Sequence, residues 1–191
     1  MSLLAVFHDG RALIARSILT IEAFALLPGD TRERNVSWLD RSQALSLSSD
    51  GQKILYGKIG EGQGTVYLGR GDGSPAVPLG EGRGAFALSP DGKWALTTQG
   101  SPRQVVLLPT GAGQAVRLPR GDVEFEGRTW FFWFPDGKRI LFNGHGPDGQ
   151  KRCYVQSTEG GGPRALPLSG VGCRAPSPDG KFVLTSKGEL Y

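Results

Sequence analysis

Ser89-Pro90-Asp91-Gly92-Lys93-Trp94-Ala95-Leu96 is the stretch that decides the fold, because the chain repeats it. The same pattern stands upstream as Ser48-Ser49-Asp50-Gly51-Gln52-Lys53-Ile54-Leu55. Downstream it returns as Phe134-Pro135-Asp136-Gly137-Lys138-Arg139-Ile140-Leu141 and Ser177-Pro178-Asp179-Gly180-Lys181-Phe182-Val183-Leu184. A looser copy, Phe7-His8-Asp9-Gly10-Arg11-Ala12-Leu13-Ile14, lies near the start. Successive aspartates are 41, 41, 45 and 43 residues apart, a spacing too regular for chance. In Ser-Pro-Asp-Gly the proline presets φ at about −65°, the aspartate tolerates the next turn position, and the glycine takes the left-handed conformation. That combination closes a type I turn with a bulge between antiparallel strands. Apolar runs flank it, Ala85-Phe86-Ala87-Leu88 before and Trp94-Ala95-Leu96-Thr97 after, so each copy reads as a β-hairpin.

Between these hairpins lie looser ones with glycine-rich tips. Val66–Leu68 leads through 69–74 to Ala76–Leu79, Gln104–Leu108 through 110–113 to Ala115–Leu118, and Cys153–Val155 through 158–162 to Arg164–Leu168. The first unit offers Ala23–Leu27 and Arg34–Trp38 around Pro28-Gly29-Asp30. Each repeat thus carries four strands in roughly 43 residues, the size of one propeller blade. The expected fold is all-β: a β-propeller of four-stranded antiparallel blades, four complete and a fifth partial. One domain, 1–191, divides into approximate repeats 1–40, 41–82, 83–126, 127–170 and 171–191. Residues 11–27 contain no Gly or Pro and also suit an amphipathic helix, but the repeat phase places strands at 12–16 and 22–27.

Composition narrows the class. With 30 Gly and 13 Pro among 191 residues, a helical bundle is excluded, since each costs a helix interior roughly 1 and 3 kcal/mol. A hydrophobic content of 38% is too high for a disordered chain. No apolar run approaches the roughly 18 residues of a membrane span, and the opening Met1–Phe7 lacks the basic start of a secretory signal. The net charge is +4, but the 22 basic residues are scattered and form no phosphate-tracking stripe, so nucleic acid is not an expected partner. Cys153 and Cys173 make neither a disulfide framework nor a metal spacing, and read as small buried hydrophobes.

The repeats resemble the WD40-like repeat of TolB-type β-propellers, a hydrophobic strand followed by Ser-Pro-Asp-Gly-Lys and a second strand. The likeness runs the length of the chain, strongest at 88–98, 134–144 and 177–186, and weakest at 1–20, where His8 replaces the proline. It implies one of several roles: a periplasmic protein-binding propeller, a gating propeller of a prolyl-oligopeptidase-like hydrolase, or a propeller appended to a bacterial receptor or regulator. It looks most like the appended kind, and mildly implies a periplasmic or extracytoplasmic setting. Such propellers usually have six blades. A partial fifth blade therefore implies either a compact five-bladed ring or a segment of a longer protein, and an unclosed ring would expose strand edges open to edge-to-edge self-association.

Strand order fixes two faces. If the Asp-Gly turns lie on one, the connections within 58–64, 80–83, 99–103, 119–128 and 144–150 share the other, and the last two are neighbours. Long loops on a rigid scaffold are where binding residues concentrate. The expected function is a non-enzymatic scaffold that binds a protein or peptide through Trp38, Arg83, Arg103, Arg128, Trp130 and His145, since arginine and aromatic side chains dominate contact energetics. The alternative is an enzyme acting on a small molecule in the funnel, with Glu124, Glu126 and His145 as acid, base or ligands; Asp148 completes the weak metal candidates. No cofactor is implied. There is no Gly-x-Ser-x-Gly elbow and no Walker loop, and only His8 and His145 offer an imidazole. The turn aspartates suit calcium chemically, but a hairpin explains them without an ion. In Trp130-Phe131-Phe132-Trp133-Phe134, alternation sends Trp130, Phe132 and Phe134 one way and Phe131 and Trp133 the other, the pattern of an inner strand buried on both sides.

Overall fold

In the computed structural model, which describes residues 2–6, 12–15, 21–26, 29–38, 42–58, 64–125 and 129–191, the Asp-Gly turns close as their sequence dictates. Gly51, Gly92, Gly137 and Gly180 adopt φ of 70°, 66°, 67° and 69°, values open to glycine and costly for other residues. The serine that opens the motif acts as a relay. Ser89 Oγ accepts the Trp94 N–H at 3.0 Å and donates to Asp91 Oδ1 at 2.6 Å, while Asp91 Oδ1 also accepts the Lys93 N–H at 3.1 Å. Ser177 and Asp179 repeat this network with Phe182 and Lys181, and Ser48 and Asp50 with Lys53 and Gln52. The carboxylates are thus occupied by the hairpin itself. Where Phe134 stands in place of the serine, Arg139 takes over. Its Nε donates to Asp136 Oδ2 at 2.7 Å and its guanidinium lies 4.2 Å from the centre of the Phe134 ring. The His8 copy lies outside the described residues.

The strands these turns connect are short and antiparallel. The first unit holds β1 (Ser2–Val6) paired with β2 (Ala12–Ala15), and β3 (Phe24–Ala25) paired with β4 (Arg34–Asn35). Among the described residues these remain two separate two-stranded sheets, where the repeat phase predicts one; residues 16–20 between them are not described. Three four-stranded sheets follow in simple up-and-down order. They are β5 (Ser42–Leu47) to β8 (Val77–Gly82) by way of β6 (Lys53–Lys58) and β7 (Gly64–Arg70); β9 (Ala85–Leu88), β10 (Trp94–Gln99), β11 (Gln104–Pro109) and β12 (Val116–Arg117); and β13 (Phe131–Trp133), β14 (Arg139–His145), β15 (Lys151–Ser157) and β16 (Arg164–Ser169). Last come β17 (Cys173–Pro176) and β18 (Val183–Thr185), with Tyr191 exchanging both backbone hydrogen bonds with Val183. No helix occurs among the described residues, and strands stand at 12–15 and 24–25 where a helix competed.

The sheets stack face to face in sequence order, with their first strands adjacent: β9 touches both β5 and β13, and β13 touches β17. The apolar cores therefore lie between sheets. Leu55 and Val66 of one sheet pack on Leu88, Ala95, Val106 and Leu108 of the next. Leu96, Val105 and Leu107 turn the other way, onto Phe131, Trp133, Ile140, Phe142 and Tyr154. Along β11 the side chains alternate strictly between two cores, which is why Val105-Val106-Leu107-Leu108 is apolar without interruption and buried throughout. The aromatic run divides as expected, Phe131 and Trp133 into one core and Phe132 and Phe134 into the next. Trp130 departs from it: it precedes the strand and is 52% exposed. Polar ties reinforce the stacking at the turns, Ser49 Oγ donating to Pro90 O at 3.1 Å and Lys53 Nζ to Gly92 O at 2.9 Å.

Two outcomes follow from the turn chemistry. Ser89→Ala strands a buried N–H and removes a carboxylate's donor, so thermal unfolding should shift down by about 3–6 °C, for a loss of roughly 1–2 kcal/mol; Arg139→Ala, at the more exposed fourth copy, should shift it less. The serine hydroxyls, followed by the backbone N–H groups, hold the carboxyls of Asp50 and Asp179 below their ordinary 3.8, and Ser89 does the same for Asp91 against the opposing effect of burial. Groups whose folded pKa is depressed stabilise fully above the unfolded value and lose that contribution as pH falls through the folded one. Melting temperature should therefore be flat in this respect above about pH 4 and decline below it, and Ser89→Ala should flatten that decline in a differential-scanning titration.

Candidate functional site

On the face opposite the Asp-Gly turns, the connection entering each of the third, fourth and fifth repeats is tied to the second strand of that repeat or its end. Between the second and third repeats, Arg83 N–H donates to Thr98 O at 2.7 Å, Thr98 Oγ1 donates to Arg83 O at 3.1 Å, and Gln99 Nε2 donates to Glu81 O at 2.6 Å. One repeat later, Glu124 and His145 exchange two backbone hydrogen bonds of 2.9 Å. At the next, Ser186 N–H donates to Gly172 O at 2.7 Å. Among the described residues, backbone hydrogen bonds thus lock the loops at these three junctions, and the neighbours expected at 119–128 and 144–150 are joined through Glu124 and His145.

Two hydrophobic side chains hold down the longest of these loops, and sequence reasoning passed over both. Val123 is buried in the core, and Phe125 packs edge-on against Phe142 and tilted against Phe131, with centroids 5.5 and 5.6 Å apart. The signal was present in the alternation Val123-Glu124-Phe125, which puts the carboxylate out and its neighbours in. Gly144 completes the fit: a Cβ there would stand 2.4 Å from Val123 Cγ1 and 3.2 Å from Glu124 O.

The candidate side chains fall into distinct settings. Trp130 presents an exposed ring immediately before the buried aromatic strand. Burial draws the Arg103 guanidinium below its ordinary range, and the nearby Arg83 charge adds to this, so two cations share one patch. His145 ends β14, partly buried. Trp38 lies apart, packed on Val36, Ile54, Tyr56 and Ala76, its Nε1 buried, beside a recess of about 30 Å³ lined also by Arg70 and Ser74, a volume the size of one water. Arg128 and Glu126 lie outside the described residues.

The acidic candidates are engaged by arginines. Arg152 grips both oxygens of Asp148, Nη1 to Oδ1 at 2.6 Å and Nη2 to Oδ2, and this holds the Asp148 carboxyl down at about 2. Glu124 projects into solvent with Arg120 at 3.9 Å. Among the described residues no three His, Cys, Asp or Glu side chains gather in a way that could hold a metal ion. Of the two described acidic candidates, Asp148 is thus taken up by Arg152, while Glu124 stands at the surface.

Stacked four-stranded antiparallel sheets with adjacent first strands define a β-propeller architecture of the TolB-like fold. A TolB structure from Acinetobacter baumannii is similar over 81% of this chain and 40% of its own, with a TM-score of 0.63 and 21% identity. A protein assigned as TolB from Agrobacterium tumefaciens is similar over 83% of this chain and 60% of its own, with a TM-score of 0.61 and 20% identity. The chain therefore spans less than two thirds of either. No protein-family model and no curated protein matches it.

If the Gly144 close approach locks the loop, Gly144→Ala should part the Glu124–His145 ladder. Hydrogen exchange at these two amides is expected to speed by at least tenfold, while the Ser89–Trp94 hairpin keeps its protection.

Proposed function

We propose that the chain is a non-enzymatic binding propeller that holds a protein or peptide segment across its loop face, as an interaction or sensor module of a larger bacterial protein. The observation that carries this reading is Trp130: a large aromatic ring left in solvent at 52% exposure, on a backbone fixed by the buried Phe131 and Trp133. Such a ring loses little freedom on binding and offers a large apolar contact area. Arg83 and Arg103 supply the cationic part, suited to a carboxylate-bearing segment. His145 extends the surface; Arg128 lies outside the described residues, and Trp38, set apart, is the outlying member of the expected set. In this reading the Ser-Pro-Asp-Gly-Lys units are the WD40-like repeats of the class, their approximate bounds are those given by the aspartate spacing, and the setting is periplasmic or extracytoplasmic.

Selection of peptides from a random displayed library against the full chain, followed by affinity measurement, tests it. Trp130→Ala and the double change Arg83→Ala/Arg103→Ala should each weaken the selected peptides by tenfold or more. Lys93→Ala and Lys181→Ala, on the turn face, should leave affinity within about twofold. Equal loss on both faces, or no loss at Trp130, overturns the assignment.

A further inference from the structure

Two thiols meet where the fourth and fifth repeats join. Cys153 lies in β15 directly opposite Asn143 of β14, and Cys173 opens β17, the first strand of the next repeat. Asn143 binds the two repeats: its Nδ2 donates to Cys173 O at 3.0 Å and its Oδ1 accepts the Cys173 N–H at 2.7 Å. The same Oδ1 lies 3.2 Å from Cys173 Sγ and 3.8 Å from Cys153 Sγ. Both sulfurs thus face one amide oxygen in one core, and the interaction of the two thiols, with burial, pushes the Cys173 thiol up. The neighbouring Cys173 thiol draws the Cys153 thiol down against the effect of burial, helped by the Lys151 charge. Both cysteines are free and buried among Phe134, Leu141 and Val183, and the chain contains no others to compete.

We propose that Cys153 and Cys173 are a disulfide-forming pair, and that a small disulfide oxidant converts them into a covalent fastening between the fourth and fifth repeats. In the first step the Cys153 thiolate attacks one sulfur of the oxidant, forming a mixed disulfide and expelling one thiol. In the second, Cys173 Sγ attacks Cys153 Sγ, the mixed bond breaks, and the second oxidant thiol leaves. The protein gives up two electrons and two protons, and the oxidant is reduced to two thiols. Exchange takes place while the β17–β18 hairpin is undocked, during folding or local opening; once docked, the packing that buries the sulfurs shields the bond from reductant. The Asn143 clamp survives, because it holds the Cys173 main chain as well as its thiol. This inference is independent of the binding reading.

The test uses the full chain refolded or incubated with oxidised dithiothreitol. The intact mass should fall by about 2 Da and thiols titratable in denaturant should drop from two per chain to none. Proteolysis should yield one peptide pair joining residues 153 and 173. The melting temperature should rise by roughly 5–10 °C and return on reduction. Cys153→Ser and Cys173→Ser should each abolish the mass change; should either fail to fold, the oxidised and reduced forms of the unaltered chain suffice. Two thiols persisting after refolding in oxidant, dimers linked between chains, or a bond that leaves the melting temperature unchanged overturns the proposal.

Discussion

Burial of both faces of the same sheet is the constraint on which the rest of the molecule depends. A strand in an ordinary two-layer protein sends alternate side chains to core and solvent, and its sequence alternates in polarity. Here β11 sends Val105 and Leu107 to one neighbour and Val106 and Leu108 to the other, so neither face can be polar. A sheet built this way cannot satisfy itself. It needs a sheet before it and a sheet after it, and the cheapest way to supply both from one chain is to repeat the unit at fixed pitch. The packing of first strand against first strand, and the tight loops that join one sheet to the next, follow from that requirement.

The architecture was legible because the turn motif is chemically specific. Asp-Gly after Ser-Pro has few conformations open to it, and four described copies close with the same glycine geometry and, in three, the same hydroxyl relay. The fourth copy was legible as a turn but not in its mechanism, since nothing local announces that Arg139 will replace a serine five positions earlier. The first unit was the weakest to read for a related reason: β3 and β4 are two residues each, and Arg34 and Asn35 are exposed, so little apolar pattern marks them. The aromatic run was read correctly for Phe131 to Phe134, and Trp130 escaped because alternation says nothing of where a strand begins.

The loop face was legible as topology and less so as chemistry. Strand order alone placed 119–128 beside 144–150, and the Glu124–His145 ladder is the physical form of that adjacency. Counting polar residues in those segments suggested a pool of acids and an imidazole. The structure divides them instead, Asp148 locked onto Arg152 four residues away and Glu124 turned outward, while the apolar Val123 and Phe125 do the anchoring. Pairings of this kind depend on which side of a strand each residue occupies, and composition is blind to that.

The exchange of Ser for Phe134 with Arg139 has a consequence for how such a chain can change over time. Its compensation is contained inside one hairpin, so a turn can be rewritten without any other unit taking notice. A carbon lost from Val106 or Phe142 has no such privacy, because the vacancy opens onto an adjoining sheet. Divergence should accordingly accumulate at the tips, copy by copy, while the interleaved strands drift only in concert.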